Sequence, residues 1–125
     1  MLPPPTRYLL DTNILVHYIR GDALAQWIEA KYALRSAATA PLISIVIVGE
    51  IRSLALQFSW GAAKRRQLDN LLNDCVVVPL DFPGIIDAYA EIDAYSRRVG
   101  SKMGKNDIWI AATAKVVNAR LLTTD

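Results

Sequence analysis

The chain has 125 residues, a mass of 13.8 kDa and a single cysteine, with 53% hydrophobic against 21% charged residues. That composition excludes intrinsic disorder, the length suits one hydrophobic core, and a lone thiol excludes an internal disulfide. A net charge of +2 permits nucleic acid as a partner without requiring it. The longest apolar stretch, 41–49, is far short of the ~20 residues needed to cross a bilayer, so no membrane partner is expected. The opening Met-Leu-Pro-Pro-Pro lacks the charged and then apolar regions of a secretory signal, and the cytoplasm is the expected address.

Four apolar, β-rich runs at 8–11, 42–46, 75–80 and 120–124 alternate with runs of helical period. This is the pattern of an α/β fold in three layers, a central parallel twisted sheet of four or five strands flanked by helices. Because the runs are continuously apolar rather than alternating, the strands are expected to be buried on both faces. The first gap predicts a helix over 13–36 broken near Gly21, with Asp22 capping its second part. The next gap predicts helices over 48–59 and 62–73, split at Trp60 and Gly61. The last holds helices over 83–99 and 107–118. In the first of these, Ala88, Ile92, Tyr95 and Val99 recur at helical spacing and mark a buried face. One domain over 1–125 is expected. Its stop at Asp125, straight after a strand, suggests a truncated or incompletely ordered C-terminal end.

In an open parallel sheet ligands bind beyond the carboxyl ends of the strands, and four acids qualify for that edge. Asp11 ends the first strand, Asp125 follows the fourth, Glu50 lies near the start of the helix after strand two, and Asp107 opens the helix before strand four. Glu50 is the most telling, being the only ionisable residue between Arg35 and Arg52. A carboxylate in apolar company needs pairing or a metal, and Arg52 falls on another helix face; solvent or a salt bridge is the plainer alternative. Taken singly, Asp11 and Asp107 read equally well as helix N-caps, and Asp125 as a turn residue. Together at one edge the acids would repel, a conflict that a hard divalent cation removes. Oxygen donors with no Cys or His nearby favour Mg²⁺ or Mn²⁺ over Zn²⁺.

Among the remaining candidates, Asp93 is a stand-in for Asp125, and Asp87 with Glu91 reads as solvated surface. His17 suits packing or surface better than catalysis. Of the three tryptophans Trp60 is the best candidate for exposure. Arg97, Arg98, Lys102 and Lys105 run into Asp107 with no acid after Asp93, and suit either phosphate contact or a solvated loop. Lys64-Arg65-Arg66 suits a solvated helix face. No Asp-x-Asp pair, glycine-rich nucleotide loop or Walker motif is present.

The motifs Leu9-Leu10-Asp11-Thr12-Asn13, Ser44 with Val48-Gly49-Glu50-Ile51, Asn106-Asp107 with Ile110-Ala111-Ala112, and Leu122-Thr123-Thr124-Asp125 together resemble the PIN-domain nucleases. The likeness is greatest to the toxin ribonucleases of VapBC-type toxin–antitoxin modules, and it spans nearly the whole chain. It implies that Asp11, Glu50, Asp107 and Asp125 form an acidic quartet holding one or two Mg²⁺ or Mn²⁺ ions, supported by Thr12, Asn13, Ser44 and Asn106. It further implies endonucleolytic RNA cleavage leaving a 5′-phosphate, a homodimer, and a cognate antitoxin that also binds DNA. With the apolar content it suggests a dimer whose free form exposes an apolar groove for an antitoxin segment, since Trp27, Ile28, Leu34, Leu54, Leu56 and Phe58 are many for one small core. Alternative functions are an RNA processing or decay nuclease without antitoxin, and a non-catalytic RNA-binding module on the same fold.

Overall fold

A computed structural model of the chain describes residues 6–35 and 39–124. The elements run β1 (Tyr8–Leu10), α1 (Thr12–Arg20), α2 (Ala23–Tyr32), β2 (Leu42–Ser44), α3 (Ile45–Gln57), α4 (Ala62–Asn73), β3 (Val76–Val78), α5 (Ile85–Arg98), α6 (Lys105–Val117) and β4 (Arg120–Leu122). All strand pairs are parallel, in the order β3-β2-β1-β4, so among the described residues the sheet has four strands and six flanking helices. Continuous burial holds for the central strands, whose Leu9, Leu10, Leu42 and Ile43 are shielded on both faces. It fails at the edges. Val76 and Val77 of β3 and Leu121 of β4 are exposed, because an edge strand has only one neighbouring strand and partial helix cover.

Each strand is shorter than its apolar run; for β1 and β2 the helix that follows, with its cap, takes the last residues. The clearest case is β2, where Ser44 ends the strand and caps α3, its Oγ accepting from the Val46 N–H at 3.1 Å. Helix α3 therefore starts at Ile45 rather than 48, and Glu50 lies in its second turn. Ser44 is fully buried. Ser44→Ala should thus lower unfolding free energy by about 0.5–2 kcal/mol, the loss of one N-cap, readable as a shifted urea midpoint.

The helix break at Gly21 forms as expected. Gly21 adopts φ 62°, closing α1, and Asp22 Oδ1 accepts from the Ala25 N–H at 3.0 Å. On α5 the buried face is Ile85, Ala88 and Ser96 with half-buried Ile92. Tyr95 and Val99 are exposed, contrary to the spacing argument; Arg98 lies over the Tyr95 ring and Ser96 Oγ closes the helix end on the Ser101 carbonyl. The expected excess of apolar side chains is partly real. Ile28 and Leu34 are buried and Leu54 half-buried, while Trp27, Leu56 and Phe58 stay exposed. Trp27, at 53%, is the exposed tryptophan rather than Trp60, which packs at the core's margin under Lys64.

Candidate metal centre

Strand register assembles the site. Leu10 pairs with Leu122, so the residues that follow them, Asp11 and Thr123, leave the sheet side by side. Asp11 caps α1, its Oδ1 accepting from the Thr12 N–H at 2.8 Å, while Oδ2 accepts from Thr123 Oγ1 at 3.0 Å. Asn13 completes the clasp. Its Nδ2 donates to Thr123 Oγ1 at 3.1 Å, and its Oδ1 accepts from the Thr124 N–H at 3.2 Å. Asp11 is therefore the cap that it resembles, and also a carboxylate held in a fixed orientation at the sheet's carboxyl edge.

Glu50 projects from α3 into the space between the starts of α1 and α6. Thr12 Oγ1 donates to its Oε2 at 2.5 Å and Asn106 Nδ2 to its Oε1 at 2.7 Å. The carboxylate is half-buried, and neutral groups from two other helices supply its hydrogen bonds. Arg52 is indeed turned away, paired with Asp69. Asp107 is not the N-cap of α6. Gly104 holds that position, and Asp107 is the third helical residue, its Oδ2 lying 3.7 Å from where a Gly104 Cβ would stand. An acid in the first turn faces the positive end of the helix dipole. Asp107 is exposed and has no hydrogen-bond or ionic partner among the described residues. Asp125 lies outside the described residues.

Five acids elsewhere, Asp22, Asp69, Asp74, Glu91 and Asp93, each meet a basic side chain. Asp11, Glu50 and Asp107 meet none among the described residues. Thr12, Asn13 and Asn106 add further oxygen donors, and His17 and Cys75 are engaged elsewhere. The chemistry of these donors, all oxygen, is that preferred by a hard divalent cation. Among the described residues no three Asp, Glu, His or Cys side chains are close enough together to hold an ion.

Of the other candidates, Asp93 pairs with Arg97, its neighbour one turn along α5. Arg98 covers Tyr95, while Lys102 and Lys105 are exposed next to the Asn106-Asp107 corner. His17 Nδ1 bonds Asp22 Oδ2 at 2.7 Å, tying the two ends of the α1–α2 turn. That bond, and then the Ala25 N–H, hold the Asp22 carboxyl below its ordinary range. A depressed folded pKa gives stability that is present above the unfolded value and lost as pH falls through the folded one. Asp22→Asn keeps the cap, so urea midpoints measured below about pH 4 should fall less steeply with acid than in the wild type. Burial pushes the Cys75 thiol up to about 11, away from reactivity. Thr123 is the site residue whose role sequence reasoning missed; its signal was the adjacency to Asp11 that a parallel β1–β4 pair imposes.

A four-stranded parallel sheet flanked by helices, with Asp11 at its carboxyl edge, defines an α/β class of protein, and residues 8–125 match the PIN domain family. The chain belongs to that family, a nuclease family. No curated protein gave a significant sequence match. Among solved structures it is similar to VapBC2 from Rickettsia felis bound to a promoter DNA fragment, with TM-score 0.79 and 24% identity over 96% of this chain and 89% of that one. It is also similar to VapBC-1 from nontypeable Haemophilus influenzae, with TM-score 0.78 and 23% identity over 96% and 87%. A toxin-antitoxin complex from Klebsiella pneumoniae gives TM-score 0.68 and 22% identity over 94% and 86%. These likenesses bear on the fold. No described helix is long and apolar enough to cross a membrane.

Proposed function

We propose that the chain is an Mg²⁺- or Mn²⁺-dependent endoribonuclease acting as the toxin of a toxin–antitoxin pair. The observation that carries this reading is that Glu50 is tied to Thr12 and Asn106, the immediate neighbours of Asp11 and Asp107, which brings three acids without a basic partner among the described residues to one edge of the sheet. Asp11 and Asp107 are the metal ligands, Asp125 a further one, and Glu50 a ligand or the base that orients water. The ion supplies Lewis acidity at the scissile phosphate and acidifies water. Thr123 fixes the Asp11 carboxylate, and Thr12 with Asn106 fixes that of Glu50, so neither reorients as the substrate arrives. Lys102 and Lys105 take flanking phosphates, with Arg97 and Arg98 just before them in the chain.

The antitoxin reading is supported by the solved relatives described as VapBC or toxin-antitoxin complexes. A second support is a groove of about 370 Å³ in which Val16, Leu54, Phe58 and Trp60 meet Arg20 and Lys64, suited to an apolar segment carrying acidic residues. A homodimer is part of the same reading, and light scattering tests it. The decisive experiment incubates labelled RNA with the protein in Mg²⁺, Mn²⁺ or EDTA. Shortening is expected with either metal and none with EDTA; RNA left intact in all three would overturn the nuclease assignment.

A further inference from the structure

An open groove of about 540 Å³ runs from the Thr12–Glu50–Asn106 cluster along α3, and among the described residues no lysine or arginine lines it. Its floor is two stripes of one helix. Val46, Glu50 and Leu54 recur every fourth residue, and beside them so do Gly49, Ser53 and Gln57. Gln57 Nε2 donates to Ser53 Oγ at 2.9 Å. That bond uses one amide N–H and leaves the other N–H and the carbonyl oxygen of Gln57 available, a donor beside an acceptor. Gly49 is in the helix interior, where alanine is better by roughly 0.5–1 kcal/mol, and a Cβ there would meet nothing within 4 Å. Its missing side chain is not demanded by packing, and it keeps the groove wide.

We propose that this groove holds a nucleobase of single-stranded RNA next to the scissile phosphate, and that Gln57, positioned by Ser53, reads its edge. The inference rests on the ribonuclease reading for its substrate class. A groove for phosphate would carry cations; this one offers the apolar walls of Val46 and Leu54 and a neutral donor–acceptor pair, which suit a base face and a base edge. Gln57 is seven positions along the helix from Glu50, about 10 Å, which places the reading group one neighbour away from the cut.

The test has a binding arm and a cleavage arm. In EDTA, anisotropy with labelled homopolymeric RNAs should show a preference among bases of roughly 5- to 150-fold, the range of one bidentate contact. Gln57→Ala should flatten it, and Gln57→Glu, which only accepts, should move it toward cytosine, whose N4 amino group donates. With Mn²⁺ the bases flanking the cut sites should change in the same sense. Gln57 is exposed, so melting temperatures should be nearly equal in all three proteins. Equal binding of all homopolymers, no binding, or a preference untouched by either Gln57 change overturns the inference. A Gln57-dependent preference in EDTA with RNA left intact under every metal would instead uphold the groove and overturn the nuclease reading.

Discussion

Asp107→Asn is expected to reduce RNA cleavage at least about 10²-fold while leaving the protein folded. Because Gly104 caps α6, the change removes no cap; it removes one first-turn charge from the helix dipole, a loss of about 0.3–1 kcal/mol. The decisive difference lies in metal linkage. An ion that binds only the folded protein stabilises it by about 2.7 kcal/mol at 100 times its Kd. Wild type should therefore melt higher as Mn²⁺ is added, and the Asn variant should lose most of that gain. Full cleavage and a full Mn²⁺ shift in the variant would show that Asp107 is only a surface acid at a helix start, and much of the nuclease assignment would go with it.

Glu50→Gln is the second large effect, a loss of about 10²- to 10⁴-fold in cleavage. The two bonds from Thr12 and Asn106 set what should happen to stability. The new amide oxygen replaces one acceptor, and the new N–H meets either the Thr12 hydroxyl or a turned Asn106 amide, both able to accept. Stability should then hold within about 1 kcal/mol. Persisting activity with an unchanged melt in EDTA would remove Glu50 from the chemistry.

The four strands were legible because Leu9-Leu10, Leu42-Ile43, Val76-Val77-Val78 and Leu121-Leu122 are β-rich runs bounded by turn or cap residues. What their composition could not reveal is lateral position. Val76 and Val77 look as buried as Leu9 until the strand order makes β3 an edge. Periodicity likewise named Ala88 and Ile92 correctly on α5, but amphipathic Tyr95 tolerates water over its ring, and small Ser96 took the buried place. At the site, the isolation of Glu50 among apolar residues was visible in the chain. Its partners were not, since Thr12 and Asn106 lie 38 and 56 residues away and only the packing of three helix starts joins them. Asp107 was moved from cap to first turn because Gly104, with no side-chain cap to offer, nevertheless begins the helix.

The clasp between Thr123 and Asp11 closes over 112 residues of chain. Strand β1 is interior to the sheet, yet one of its two neighbours, β4, is made after the other three described strands. During synthesis, at about 5–20 residues per second, β1 therefore waits with one flank unpaired, and Asp11 has its cap but not its lock. The closure is among the longest-range contacts the fold makes, so its loop entropy falls late in folding. A ribosome-bound chain ending before β4 should lack the oriented Asp11 carboxylate, so the proposed site would stay incomplete until translation has passed β4.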